Sequence, residues 1–157
     1  MQLQPGSPAP EFTLQSSNGP IRLADFRDRS LLLYFYPKDD TSGCTREALD
    51  FTALLPAFEA IGVTVVGVSK DSVARHEKFA GKHGLRHLLA SDPEGVTIAA
   101  YGSWVEKTLY GRAYMGIDRS TFLIGADGRI VALWRKVRVP GHTEAVLKAA
   151  QGLATAS

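Results

Sequence analysis

One cysteine, Cys44, lies in the run Phe35-Tyr36-Pro37-Lys38-Asp39-Asp40-Thr41-Ser42-Gly43-Cys44-Thr45-Arg46-Glu47. A thiol acts as a nucleophile or redox group through its thiolate, so its neighbours decide what it can do. Pro37 has no amide hydrogen and must end a preceding strand. Thr41 and Ser42 are favoured at helix N-caps, and Gly43 permits a tight turn into the next element. From Thr45 onward, Phe51, Leu54, Leu55 and Phe58 recur at helical spacing. The spacing therefore predicts Cys44 in the first turn of a helix. First-turn amides lack intrahelical acceptors and sit at the positive end of the helix dipole, which favours thiolate over thiol. The competing reading is a small buried hydrophobe, a common fate of free cysteine. The strand, proline, threonine and glycine around it favour a reactive thiol.

Several elements must hold that stretch. Leu31-Leu32-Leu33-Tyr34-Phe35-Tyr36 is an apolar run of strand length and predicts a buried central strand. Val63 to Ser69 is a β-branched run and predicts a second one. Phe12, Leu14, Ile21 and Leu23 flank Ser16-Ser17-Asn18-Gly19-Pro20, a hairpin signal. The helix after Cys44 contains Pro56, where a kink or restarted turn is expected, and Gly62 ends it. Asp71 or Ser72 caps a further helix with Val73, His76, Phe79 and Ala80 on one face, ending near Gly84. Leu88 to Ala90 predicts a short strand. Ser91 to Glu94 reads as a helix start with Pro93 in its first turn, and this helix runs to Tyr101. Arg119 to Ile124 and Ile130 to Val137 predict strands around a loop from Ala126 to Arg129. Pro140-Gly141 precedes a terminal helix with Val146, Leu147 and Ala150 inward. Strands alternating with helices, then a late hairpin and a helix, predict an α/β fold with a central mixed sheet.

The sequence of 157 residues suits one domain, 1–157, with 45% apolar and 22% charged residues and a formal charge of +2. Basic and acidic residues are interspersed, which argues against a nucleic-acid partner or an anionic membrane. No signal-peptide pattern opens the chain and no apolar run approaches about 20 residues, so a soluble, cytoplasmic protein is expected. One cysteine leaves no internal disulfide and no zinc site built on paired cysteines. The histidines at 76, 83, 87 and 142 lack metal spacing and read as packing or surface groups.

Pro37, Thr41 and Cys44 match the P-x-x-x-T-x-x-C signature of peroxiredoxins, and Tyr34 to Thr45 resembles the bacterioferritin-comigratory-protein (PrxQ) branch. Tyr110-Gly111-Arg112 and Gly116 to Ile124 resemble the segment that carries that branch's catalytic arginine. The resemblance runs from about Gly6 to Leu147. It implies a thioredoxin-like fold with an added N-terminal β-hairpin, and a thiol-dependent peroxidase reducing hydrogen peroxide and alkyl hydroperoxides through a Cys44 sulfenic acid. It implies catalytic roles for Cys44, Thr41, Pro37 and Arg119, and a supporting role for Glu47. The physical need for such groups is clear. An ordinary thiol is a few per cent ionised at neutral pH, so complete ionisation gains only about 10- to 30-fold, while enzymes typically accelerate by about 10⁶-fold or more. The rest must act on the O–O bond. Arg119, a permanent cation with several N–H donors, can hold the thiolate and polarise the peroxide. Thr41 can hydrogen-bond the peroxide, and Pro37 can shield the thiolate from water.

Many members of the branch carry a resolving cysteine five residues after the peroxidatic one, where this sequence has Leu49, and others carry it on the next helix, where Asp71 to Gly84 has none. The expectation is a one-cysteine cycle with no cofactor and no metal. An external thiol then regenerates Cys44: thioredoxin, glutaredoxin with glutathione, or another low-molecular-weight thiol. A monomer is expected, with a weak dimer as the alternative. The competing functions are a sensor passing Cys44 oxidation to a partner protein, and a scaffold with an inert cysteine. Trp104 and Tyr110 read as pocket walls or core, or as an exposed partner-binding patch.

Overall fold

The computed structural model describes the backbone of residues 2–156 and the side-chain surroundings of residues 2–153. Its centre is the apolar run expected as a strand, β3 (Ser30–Phe35). Side chains alternate across a strand, so Leu31, Leu33 and Phe35 enter one buried cluster while Leu32 and Tyr34 enter another. Both faces of the sheet are covered. That is why the run is continuously apolar rather than alternating.

β3 pairs in parallel with β4 (Val63–Ser69), and β4 with β5 (Leu88–Ser91). On its other side β3 pairs antiparallel with β8 (Ser120–Ile124), which continues to β9 (Ile130–Trp134). The N-terminal hairpin, β1 (Thr13–Ser16) and β2 (Ile21–Arg22), joins through β1 to β5. A mixed sheet of seven strands results, in the order β2-β1-β5-β4-β3-β8-β9. The helices α1 (Ser42–Ala60), α2 (Val73–His83) and α4 (His142–Ala156) bring Phe51, Phe58, Phe79 and Val146 into the cluster with Leu32 and Tyr34. The opposite cluster takes Phe12, Ile98 and Tyr101, from the N-terminal segment and around α3 (Val96–Ala100). The sheet with its flanking helices is the thioredoxin-like arrangement.

Two local expectations change, and one hairpin appears that none foresaw. α1 is continuous through Pro56, which withholds one amide donor without ending the helix. α3 begins at Val96, not near Pro93, because Gly95 takes a left-handed conformation (φ 74°) and the Asp92 carboxylate accepts from the Ile98 amide instead. The segment before Arg119 forms a two-stranded hairpin outside the main sheet, β6 (Trp104–Leu109) and β7 (Arg112–Ile117). Tyr110 and Gly111 at its tip both have positive φ, 52° and 77°, as a two-residue turn of the I′ kind requires. Neither strand has clean polar–apolar alternation, so the period gave no warning of it.

Candidate active site

The site sits where β3 ends and α1 begins. The chain leaves the sheet at Tyr36 and passes through the loop 37–41. It enters α1 with Thr41 at the N-cap, which places Cys44 in the first turn. The Thr41 carbonyl accepts from the Thr45 amide (2.8 Å), so the N-cap role is carried by backbone. The Thr41 hydroxyl donates to the Lys38 carbonyl instead (2.9 Å). Thr41 and Pro37 are exposed at the surface, whereas Cys44 is only 2% exposed.

Arg119 lies one residue before β8. The register sets Phe35 opposite Ser120, so the last residues of β3 and the first of β8 are neighbours. This adjacency brings together two groups 75 positions apart: Arg119 Nη2 donates to Cys44 Sγ at 3.3 Å. Gly43 makes room for that contact, since a Cβ there would stand 3.2 Å from Arg119 Nη2. Gly43 therefore leaves the approach of Arg119 unobstructed, and its backbone is in no unusual conformation.

Glu47 falls three residues after Cys44, on the same face of α1, and is fully buried. Its Oε1 accepts from Arg119 Nη1 (2.7 Å), while Oε2 has no hydrogen-bond partner among the described residues. Burial pushes the Glu47 carboxyl up to about 7, against the downward pull of the Arg119 charge and hydrogen bond. Burial pulls the Arg119 guanidinium down, but the charges of Glu47 and Cys44 outweigh it and hold it above its ordinary value. The guanidinium is thus fixed at two corners, one on a carboxyl and one on the sulfur.

All five residues singled out from the sequence lie around this end of the sheet, and Arg119 is in direct contact with both Cys44 and Glu47. The histidines do other work. His87 bonds Tyr34 and Thr52, His142 bonds Thr121, and His83 meets Asp40. Trp104 is half-buried under the Lys70 ammonium, and Tyr110 is 96% exposed, so it is neither wall nor core. No group of three or more metal-ligating side chains occurs among the described residues. No described helix is long and apolar enough to cross a membrane. Tyr34, fully buried in the central strand, bonds His87 and is raised well above the usual tyrosine range, by burial first and then by the charges of Glu47, Cys44 and Asp39. Sequence reasoning missed the Tyr36–Asp39–His76 cluster. Nothing in the spacing of these residues announces them.

Residues 5–133 match the model of the AhpC/TSA family. Peroxiredoxin Bcp of Bacillus subtilis is 42% identical over 149 residues, covering 94% of this chain and 95% of that protein. The solved structure of Xylella fastidiosa PrxQ, a cysteine-to-serine variant, is 42% identical with a TM-score of 0.92, covering 98% and 99% of the two chains. A structure of the Xanthomonas campestris bacterioferritin comigratory protein, which has alkyl peroxide reduction activity, is 44% identical with a TM-score of 0.87, covering 91% and 92%. A thioredoxin-like sheet with a thiol at the head of its first long helix defines a class of redox protein. Within that class, the chain belongs to the AhpC/TSA family, as a peroxiredoxin similar to Bcp and PrxQ, and it carries one cysteine. It is a thiol-dependent peroxidase.

Proposed function

We propose that Cys44 is the reacting thiol, assisted by Arg119, Thr41 and Pro37, with Glu47 fixing the orientation of Arg119. The Cys44 thiolate attacks one oxygen of the peroxide; the S–O bond forms as the O–O bond breaks, and the electron pair goes to the departing oxygen. That oxygen takes a proton and leaves as water or an alcohol, while sulfur, oxidised by two electrons, becomes sulfenic acid. The observation that carries this reading is the guanidinium held 3.3 Å from Cys44 Sγ and anchored at its other corner by Glu47. It is a fixed donor beside the place where negative charge develops, which is where donors lower a barrier most. Thr41 presents a hydroxyl from the exposed loop, and Pro37 limits water at the thiolate.

With one cysteine in the sequence, an external thiol condenses with the sulfenic acid, releasing water and leaving a mixed disulfide that a second thiol reduces. Thioredoxin, glutaredoxin with glutathione, or another small thiol supplies those electrons. Hydrogen peroxide and alkyl hydroperoxides are the substrates, and the alkyl peroxide activity of the Xanthomonas campestris relative supports the second. The protein acts as an antioxidant enzyme of one domain, as a monomer or weak dimer, in the cytoplasm, where thiols are kept reduced.

Stopped-flow oxidation of the reduced protein tests the assignment. Cys44→Ser abolishes peroxide consumption. Arg119→Ala slows it by about 10²- to 10³-fold at a pH where the thiol is fully ionised, as the loss of one transition-state donor does. Residual activity in Cys44→Ser, or an unchanged rate in Arg119→Ala, would remove the corresponding role.

A further inference from the structure

The loop 37–41 is short, yet one neighbouring segment, Asp71 to His83, fastens it at three points. The Asp39 amide donates to Asp71 Oδ2 (2.8 Å). The Asp39 carboxylate meets His76 Nδ1 (2.6 Å) through Oδ2 and accepts from the Tyr36 hydroxyl (2.5 Å) through Oδ1. Asp40, whose φ of 61° is a left-handed conformation, is held by Lys82 (2.7 Å) and His83 (2.8 Å). A non-glycine residue in that conformation persists only where its surroundings hold it there.

Asp39 is the unusual member. It lies between exposed Lys38 and Asp40 but is only 4% exposed, and His76 is 2% exposed. A carboxylate placed there without partners would be costly. His76 supplies the partner in a defined way. Its Nε2 faces the Ala90 carbonyl at 3.0 Å. A carbonyl only accepts, so Nε2 carries hydrogen. Nδ1 then faces a carboxylate oxygen, and a proton must lie between them, on the ring or on the acid. Ala90 belongs to β5, so the contact ties the loop through the ring to the central sheet.

We infer that His76, acting through Asp39, is a positioning residue for peroxide reduction: it fixes the loop that carries Pro37 and Thr41 relative to Cys44. Asp39 is two residues from each, so a shift at Asp39 displaces both. This rests on Cys44, Thr41 and Pro37 acting as proposed. A displacement of about 1 Å at a reacting geometry can cost about 100-fold in rate.

The test uses His76→Phe, Asp39→Ala and Asp39→Asn in the full chain. Each is measured for Cys44 reaction with hydrogen peroxide, for Cys44 alkylation by iodoacetamide, and for melting temperature. Alkylation needs the thiolate but not the peroxide-facing groups. Asparagine is the informative replacement: its amide can donate to a bare His76 Nδ1 while its oxygen still accepts from Tyr36. His76→Phe and Asp39→Ala are expected to lose about 10- to 100-fold with peroxide, with a much smaller loss with iodoacetamide, while Asp39→Asn retains most of the peroxide rate. Unchanged peroxide rates in both disruptive variants overturn the inference. So do peroxide and alkylation rates that fall in parallel, or an Asp39→Asn as slow as Asp39→Ala. If His76→Phe does not fold, the comparison of Asp39→Ala with Asp39→Asn decides by the same criteria. A wild-type protein that reacts with peroxide no faster than free cysteine fails the Cys44 reading first, and the inference with it.

Discussion

At the scale of single residues, buried Glu47 makes the stability of the fold depend on pH. Burial raises this carboxyl from 4.5 to about 7, so the folded chain holds the proton more tightly than the unfolded chain does. The stability it contributes is complete below pH about 4.5 and is lost as the pH rises through about 7. A shift from 4.5 to about 7 corresponds to on the order of 3 kcal/mol. Glu47→Gln mimics the protonated acid and can still accept from Arg119. Urea unfolding of wild type and Glu47→Gln at pH 5 and pH 8 should show wild type losing stability relative to the variant across that interval. A constant difference would mean that Glu47 does not titrate there. The place of Cys44 in the first turn of a helix was legible from residue type and spacing, whereas the roles proposed for Pro37, Thr41 and Glu47 came from resemblance to a family motif rather than from any rule of spacing. The Cys44–Arg119 contact was legible only through resemblance, since no spacing rule links groups 75 positions apart; the register of β3 with β8 does that. His76 was legible as a buried helix-face residue but not as a partner of Asp39, because that pairing depends on how α2 docks.

At the scale of elements, α1 decides what oxidised Cys44 can reach. Leu49 occupies a half-exposed position five residues along the same helix. Residues at that separation on an intact helix have Cα atoms about 8–9 Å apart, beyond the roughly 7 Å that a disulfide spans. Leu49→Cys is therefore expected to form an internal disulfide with Cys44 on peroxide treatment only as the first turns of α1 unwind. Mass spectrometry reads the bond, and far-UV circular dichroism reads the accompanying loss of helix; a disulfide with full helicity would contradict the constraint. The elements themselves were legible in proportion to how plainly their pattern declared a face. β3, β4 and α2 follow from runs and periodicity. The start of α3 did not, because Asp92 and a left-handed Gly95 outweighed the usual meaning of a first-turn proline. β6 and β7 escaped because a ribbon that packs against little imposes little pattern on its sequence.

At the scale of the whole molecule, acid is the direction of weakness. Burial pulls His87 down to about 4, and burial with the Arg119 charge does the same to His142. Each favours the neutral ring in the folded state, so its contribution is complete above pH about 6.5 and is lost as the pH falls through about 4. Asp40, held below its ordinary value by Lys82 and His83, adds a loss in the same direction only at still lower pH, below about 3.8. Between pH 6.5 and pH 4 Glu47 works against the two rings, and the sum declines. Melting temperature is expected to fall steadily from pH 6.5 to pH 4; a flat profile would show that these rings are not buried in their neutral form. The hairpin outside the main sheet has a different consequence. A protease that cuts after the exposed Tyr110 would sever none of the pairings in the seven-stranded sheet, because β8 would remain hydrogen-bonded to β3 across the break. Cys44 and Arg119 would then belong to separate polypeptides. Peroxidase activity would become a measure of fragment complementation, falling on dilution as the two pieces part.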